Sequence, residues 1–369
     1  MKSFSFLNYP VAISNALVGI TKILDKYCSS IILYGSTAIN KLVYQTNSNG
    51  SIHLFSDIEF LVIPNNEEDA YNKSFKKKMH DLIYAYLDET NDLYVPYVDV
   101  YPVSIDFFSK AQSRICSFEL KNNAIVIKGG NLLTLLPEIT IETYDYKAQN
   151  IEIVKGLKIL LIESHRFFVV TDSNENQESK RFCYFLSSSL LNILRTLLPL
   201  FGHFLLTTEE RVAAIDTLRT DERILNYFSD DILDAFKTTL IQKTQCTYHD
   251  SAEKLLCITI RAYRSTLCLL LGASNSSLLA ALDHCGETLF SGPLWKRKQL
   301  ALLTSFFVGA LEGLQQLIHS GEVSDSTMHD IRSCFDNMIG GKNAYDYFNI
   351  ISHYTELEKY RWRIIGSKD

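Results

Sequence analysis

A chain of 369 residues with 47% hydrophobic and 21% charged residues is typical of a soluble globular protein of about two domains, which excludes an intrinsically disordered chain. The net charge of -6 argues against a protein that grips nucleic acid over a broad surface, because such proteins usually carry a basic surplus. The eight cysteines form no C-x-x-C pair and no short Cys/His cluster. The sequence therefore predicts neither a zinc site nor a disulfide framework, and it favours the reducing cytoplasm.

The first 145 residues alternate between predicted helices and strands. In chain order we expect a helix over 9–28, a strand over 29–33, a helix over 38–44, a strand over 57–63, a helix over 67–88 and a third strand within 93–104. Asn49-Gly50, between alternating residues, is typical of a hairpin turn. The three consecutive lysines Lys76, Lys77 and Lys78 are interpreted as a solvated helix face.

From about residue 146 the strand signals stop, and helical patterns follow one another with short polar breaks. Three strongly apolar runs, 190–206, 255–273 and 300–318, each contain ionisable residues, which are expensive inside a lipid bilayer. We therefore expect buried bundle helices rather than membrane spans. The predicted architecture is an α+β or α/β domain with a small mixed sheet over 1–145, followed by an all-α helical bundle over 146–369.

Three carboxylates in the first half are candidates for a metal site. Asp57 and Glu59 are two residues apart on a predicted strand, so their side chains project from the same face. Asp99, on a neighbouring strand, is the preferred third acid, and Asp106 is the alternative. Carboxylates about 5 Å apart repel by roughly 3 kcal/mol per pair at an effective dielectric near 20, so cations are expected there. Two Mg²⁺ ions would suit an in-line displacement at a phosphate.

A possible phosphate contact precedes these acids. Gly35 allows the backbone to approach a phosphate closely, and Ser36, at the expected start of a helix, adds a hydroxyl and amide donors. Gly-Ser after an apolar strand, followed by Asp57-Ile58-Glu59, resembles the signature of the nucleotidyltransferase superfamily with the DNA polymerase β-like palm. The pattern is similar to that of small-molecule enzymes such as the aminoglycoside nucleotidyltransferases.

This resemblance implies that Gly35 and Ser36 bind an NTP, that Asp57 and Glu59 hold Mg²⁺, and that Asp99 holds a metal ion or activates the acceptor hydroxyl. It extends more faintly to residues 117–130, where such enzymes often have a strand pair ending in glycine, so strands are expected over 117–120 and 124–128. Relatives often place an arginine or glycine soon after the Gly-Ser pair, whereas this chain has Lys41. The triphosphate charge is therefore assigned to Lys41 or to a residue that the sequence does not single out.

The expected function is Mg²⁺-dependent transfer of an NMP, with ATP as the expected donor, to a hydroxyl or phosphate of a small acceptor bound between the palm and the helical domain. Two alternatives stay open. One is adenylylation of a protein or tRNA, as in toxin-antitoxin enzymes, and the other is a non-catalytic nucleotide-binding or interaction module. Several basic residues of the helical half could contact phosphate or acceptor: Arg181, Arg195, Arg261, Arg264, Lys296, Arg297 and Lys298.

Overall fold

The computed structural model describes residues 8–90, 92–95, 97–165, 167, 175–245, 247–248 and 251–339. The chain divides into two compact units, Met1–Asp145 with Thr244–Cys246, and Tyr146–Lys243 with Thr247–Asp369. The described part of the first unit mixes helices with two small sheets, and that of the second contains helices and no strand. This agrees with an α+β region followed by a helical region.

The first unit is built from seven strands and five α-helices among its described residues. They are α1 (Val11–Asp25), β1 (Cys28–Tyr34), α2 (Gly35–Ala38), β2 (Tyr44–Thr46), β3 (Ile52–Leu54), β4 (Ile58–Pro64), α3 (Lys73–Asp88), β5 (Leu93–Tyr94), β6 (Val98–Pro102), α4 (Asp106–Ser109), α5 (Ile115–Asn123) and β7 (Ile125–Lys128), with 3-10 turns at Glu67–Asp69 and Leu132–Leu135.

The larger sheet has the strand order β6-β4-β1-β7. β4 runs antiparallel to β1 and parallel to β6, and β7 runs antiparallel to β1. The register places Tyr34 opposite Glu59, and Glu59 opposite Asp99. Three neighbouring strands therefore bring these side chains into one row across the sheet.

Apolar side chains cover both faces of this sheet. On one face, Ile58 and Phe60 of β4 pack with the buried sides of α1 and α3. On the other face, Leu61 joins a smaller cluster with Phe108 of α4. Each such fully buried side chain contributes about 1.5–3 kcal/mol relative to exposure. Glu59 shares the second face with Leu61, because residues two apart on a strand point the same way.

The predicted hairpin is confirmed. β2 and β3 pair antiparallel around the Asn49-Gly50 turn, and β5 extends them in parallel to a second, three-stranded sheet. Gly50 adopts a positive φ of 84°, and the Asn49 side chain accepts a hydrogen bond from the Ser51 amide. The turn residues therefore perform the roles that the sequence suggests.

Two local predictions are wrong. The helix expected over 38–44 is instead the earlier α2, which ends where Asn40 takes a left-handed φ of 61°. The Asn40 amide donates to the Thr37 carbonyl oxygen and the Lys41 amide to the Ser36 carbonyl oxygen, the hydrogen bonds of a Schellman motif. The strand expected over 117–120 is part of α5, because four alternating residues are too few to distinguish strand from helix periodicity.

The second unit is a succession of helices around one apolar cluster. They are α6 (Tyr146–Gln149), α7 (Ile151–His165), α8 (Glu175–Leu197), α9 (Thr208–Ala213), α10 (Ile215–Leu218), α11 (Glu222–Leu225), α12 (Asp230–Gln245), α13 (Ala252–Leu271), α14 (Leu278–Cys285), α15 (Leu294–Ser320) and α16 (Asp325–Ile339), with 3-10 turns at Leu198–Phe201, Asn275–Ser277 and Gly286–Leu289.

Two helical segments among the described residues, Ser179–Phe201 and Leu294–Ser320, are long and apolar enough to cross a membrane by length and composition. The bent pair Ala252–Leu271 and Asn275–Leu289 would add a third if it formed one span. In the structure, 61% and 67% of the most apolar stretches of the first two are buried. An ion pair between Arg264 and Glu312 also joins α13 to α15. This packing supports bundle helices rather than membrane spans. The bundle assignment and the cytoplasmic location both stay predictions.

Candidate functional site

The Gly35-Ser36 pair lies where β1 ends and α2 begins. Gly35 has a φ of 68°, a conformation that residues with a side chain adopt at a penalty. A Cβ placed on Gly35 would overlap the Glu59 carboxylate. Both the backbone conformation and the close approach of Glu59 therefore require glycine at this position.

Two residues that the sequence analysis missed fasten this turn. The Tyr9 hydroxyl donates to the Thr37 carbonyl oxygen at 3.1 Å and accepts from the Leu42 amide at 3.3 Å. Burial raises the pKa of Tyr9 to about 12, so its phenol stays protonated. The buried Thr37 hydroxyl donates to the Asp57 carbonyl oxygen at 3.4 Å. The turn after β1 is therefore tied to the residue that precedes β4.

The three predicted acids lie on adjacent strands of the larger sheet. Asp57 is exposed and immediately precedes β4, Glu59 is half-buried within β4, and Asp99 lies on β6 in register with Glu59. Strand alternation places Asp57 and Glu59 on the same face, and the parallel register adds Asp99 to it. The register thus places Asp99 opposite Glu59, with Asp57 two residues before Glu59.

Burial and the negative charges of the three acids raise the pKa values of two tyrosines, Tyr34 and Tyr97. Burial, followed by the charges of Glu59 and Asp99, raises the pKa of Tyr34 well above its ordinary value. Burial, followed by the charges of Asp99 and Asp57, raises the pKa of Tyr97 to about 12. Each of the three carboxylates thus acts on at least one of the two phenols. Nothing in the sequence pattern distinguished these tyrosines from the others in the chain.

Lys76 forms an ion pair with Asp99, the third predicted acid. Lys76 Nζ, on α3, lies 2.5 Å from Asp99 Oδ1. The prediction of a solvated face over Lys76, Lys77 and Lys78 is therefore wrong for Lys76, whose side chain is only 31% exposed. Its two neighbours lie on the exposed side of α3, because α3 turns by 100° per residue. A sequence pattern of three lysines does not show which one reaches the sheet.

The other predicted positions lie close to the turn or away from the sheet. Lys41 is exposed, and its amide donates to the Ser36 carbonyl oxygen at 2.9 Å. Its contact with a triphosphate stays a prediction. Asp106 begins α4 and forms an exposed ion pair of 2.7 Å with Lys110. Because Asp106 is outside the strands, the register favours Asp99 as the acid nearest to Glu59.

Carboxylate oxygens are the ligands that Mg²⁺ prefers, so Asp57 and Glu59 have suitable chemistry for it. The described residues, however, contain no group of three or more His, Cys, Asp or Glu side chains arranged to hold a metal ion. Asp99 already has an ammonium partner in Lys76. Asp57 and Glu59 thus offer carboxylate ligands, and at Asp99 an ion would compete with the Lys76 ammonium.

His80 lies one helical turn after Lys76 on α3. Its Nε2 atom is buried and has no hydrogen-bond partner among the described residues. Burial, followed by the charge of Lys76, lowers the pKa of His80 below 6.5. The ring meets Tyr84 and Tyr97 edge to face, with centroids 6.2 and 6.0 Å away. This stripe of α3 therefore presents a lysine and a neutral histidine beside the acids.

The second unit contains a cavity of about 390 Å³ beside Arg261 and Arg264. Arg261 Nη1 lies 2.6 Å from Asp231 Oδ2, and Arg264 pairs with Glu312. Arg264 also donates to the Asn275 carbonyl oxygen at 2.9 Å. Since both guanidinium groups already join helices to one another, we assign the cavity no ligand.

Comparison of the chain with protein-family models, with curated protein sequences and with solved structures finds no match. The resemblance to nucleotidyltransferases therefore depends on the residues and the geometry described above.

Proposed function

We propose that the first unit is the palm-like catalytic domain of a Mg²⁺-dependent nucleotidyltransferase. It transfers an NMP, AMP in our proposal, from an NTP to a hydroxyl or phosphate of a small-molecule acceptor and releases pyrophosphate. One observation carries the proposal: the Gly35-Ser36 turn packs on the carboxylate of Glu59, which is itself in register with Asp99.

The strand arrangement supports this assignment. A Gly-Ser turn at the end of one strand meets an Asp-x-Glu pair on the neighbouring strand, and a third acid lies on the next strand. The three acids share one face of the sheet, and the Gly-Ser turn contacts that face at Glu59. The arrangement suits a ligand that carries several negative charges together with a divalent cation.

The roles of the individual residues follow from their chemistry. Asp57 and Glu59 would hold Mg²⁺, which when bound neutralises charge on the phosphates and on the departing pyrophosphate. Gly35 lets the backbone approach the Glu59 carboxylate closely, and Ser36 provides a hydroxyl for a phosphate oxygen. Lys41, held near Ser36 by its backbone, is the proposed cation for the triphosphate.

The transfer step requires one nucleophile and one leaving group. The acceptor oxygen forms a bond to the α-phosphorus, and the bond from that phosphorus to the bridging oxygen breaks, so the electron pair leaves with pyrophosphate. When the acceptor is a hydroxyl, its proton goes to Asp99, or to solvent where Asp99 holds a metal ion. When the acceptor is already an ionised phosphate, no proton has to move.

A second candidate is a nucleotide-binding module without catalysis. The ion pair between Lys76 and Asp99 favours it, because an acid that is already neutralised is less available as a base or a metal ligand. This candidate keeps the same binding face and the same role for Gly35 and Ser36. It differs from the first only in the chemical step.

The test is to incubate the full chain with Mg²⁺, each of the four NTPs and a panel of hydroxyl and phosphate acceptors, including tRNA and protein. We expect release of pyrophosphate and a labelled acceptor with at least one NTP. Asp57→Asn should lower the rate by about 100-fold or more, since losing a metal-holding carboxylate removes several kcal/mol of transition-state stabilisation.

Asp81→Asn is the matched control, because Asp81 is an exposed acid of α3 that pairs with Lys77. It should keep the wild-type rate. Full pyrophosphate release by the Asp57→Asn protein would contradict the metal assignment. NTP binding without pyrophosphate release over the whole panel would favour the non-catalytic module.

A further inference from the structure

The ion pair between Lys76 and Asp99 lies partly out of the solvent. The two side chains are 31% and 25% exposed, and the Nζ to Oδ1 distance is 2.5 Å. Pairs withdrawn from water in this way are screened less by salt than surface pairs are. Lys76 therefore keeps its ammonium at Asp99 as long as no other cation replaces it.

Asp99 needs a counter-charge because of its neighbours on the sheet. Glu59 lies opposite it on the parallel strand β4, and Asp57 is two residues before Glu59. The charges of Asp99 and these two acids also contribute to the raised pKa values of Tyr34 and Tyr97. A cation on this face therefore stabilises several groups at once, and Lys76 provides one at Asp99.

The lysines beside Lys76 have different surroundings. Lys77 pairs with Asp81 on the exposed side of α3, where its side chain is 77% exposed. The Lys78 ammonium lies 4.3 Å from the centre of the Tyr27 ring. Lys76 instead lies on the side of α3 that faces β6, with its ammonium 5.9 Å from the centre of the Tyr101 ring. Lys76, unlike Lys77 and Lys78, therefore contacts Asp99.

We infer that Lys76 is a built-in counter-cation that competes with a divalent metal ion for Asp99. A metal ion that uses Asp99 as a ligand binds beside the Lys76 ammonium or displaces it, and in either case the positive charge of Lys76 opposes the charge of the ion. The inference rests on the proposed function in taking the acidic face as a metal site. It goes beyond that function in naming Lys76 as the residue that weakens binding of a metal ion at Asp99.

The experiment is a titration of the full chain with Mn²⁺, followed by electron paramagnetic resonance of the free ion, without nucleotide. Lys76→Met keeps most of the aliphatic stem and removes the charge. We expect it to bind Mn²⁺ about 10-fold more tightly than the wild type. Lys77→Met changes the net charge equally and should bind as the wild type does, and Lys76→Met with Asp99→Asn should lose the tighter binding.

Circular dichroism establishes that each variant is folded, and Lys76→Gln replaces Lys76→Met if the latter is not. A folded Lys76 variant that binds Mn²⁺ no more tightly than the wild type would overturn the inference. So would an equal increase in Lys77→Met, which would indicate a general effect of net charge.

Failure of this inference is distinguishable from failure of the proposed function. The same proteins are titrated with a non-hydrolysable NTP analogue in the presence of Mn²⁺. If the analogue binds in an Asp57-dependent manner and Lys76→Met shows no tighter ion binding, only the role of Lys76 is lost. If Lys76→Met binds Mn²⁺ more tightly and no analogue binds, the acidic metal site stands and the nucleotide assignment is lost.

Discussion

Gly35 connects backbone conformation to the acidic site. Its φ of 68° alone makes alanine unfavourable there, by about 1–2 kcal/mol for a left-handed conformation. Its contact with Glu59 adds a second penalty, because an added methyl group must push the carboxylate away. The same residue therefore affects stability and the position of a proposed metal ligand.

We expect Gly35→Ala to destabilise the protein by about 2–5 kcal/mol, the sum of backbone strain and overpacking. Chemical denaturation measures this loss. Gly50→Ala is the matched control: Gly50 also has a positive φ, 84°, but a Cβ there meets no atom within 4 Å. The control should show the strain penalty alone.

Glu59→Ala provides the complementary change, since it removes the carboxylate that the new methyl group would meet. In a double-mutant cycle, Gly35→Ala should be less destabilising in the Glu59→Ala background than in the wild type. Equal losses for Gly35→Ala and Gly50→Ala, with no coupling to Glu59, would contradict the close approach.

The positions of Gly35, Asp57, Glu59 and Asp99 could be predicted because strand alternation and a short motif are local properties of the sequence. The partners of these residues could not be predicted in the same way. Lys76 reaches Asp99 across 23 positions, and Tyr9 reaches Thr37 across 28. Such contacts depend on how α1 and α3 pack on the sheet, which no local pattern encodes.

At the scale of elements, α7, α8 and α13 meet around one buried tyrosine. The Tyr263 hydroxyl of α13 lies 3.1 Å from Ser189 Oγ of α8, and a Cβ on Gly156 of α7 would overlap that hydroxyl. Burial raises the pKa of Tyr263 to about 12, so the phenol stays protonated and keeps its hydrogen bond at neutral pH. Gly156 therefore lets α7 approach α13 closely.

We expect Gly156→Ala to destabilise the protein by up to about 2 kcal/mol, because overpacking costs about 1–3 kcal/mol and the helix propensity of alanine offsets about 1 kcal/mol of that cost. Thermal and chemical unfolding measure the change. Gly309→Ala on α15 is the control, because its Cβ would lie 3.4 Å from Ile331 Cγ1, an ordinary contact. It should be neutral or stabilising, and a Gly156→Ala protein as stable as that control would contradict the packing of Tyr263.

Elements with a long or distinctive pattern were predicted well, and short ones were not. The opening helix, the strands at β1 and β4 and the Asn49-Gly50 hairpin correspond to segments with clear periodicity or turn chemistry. The helix expected over 38–44 and the strand expected over 117–120 depended on few residues. In such segments tertiary packing and capping decide between conformations that the sequence leaves nearly equal.

At the scale of the whole molecule, each unit has apolar clusters of its own. The net charge of -6 argues against a broad electrostatic grip on a long nucleic acid. In the described part of the first unit, Glu59 and Asp99 lie on one sheet, Asp57 precedes its strand β4, and the Gly-Ser turn contacts Glu59. The second unit adds helices and a cavity whose arginines are engaged in ion pairs.

The most direct test of the central claim is calorimetric titration of the full chain with α,β-methylene analogues of the four NTPs, with Mg²⁺ and with EDTA. Such analogues cannot transfer the NMP, so the measurement needs no acceptor. We predict Mg²⁺-dependent binding of at least one analogue, with a Kd between about 1 μM and 1 mM, the usual range for enzyme substrates. It should be lost in Asp57→Asn and kept in Asp81→Asn. No binding of any analogue, or equal binding by wild type and Asp57→Asn, would contradict the account.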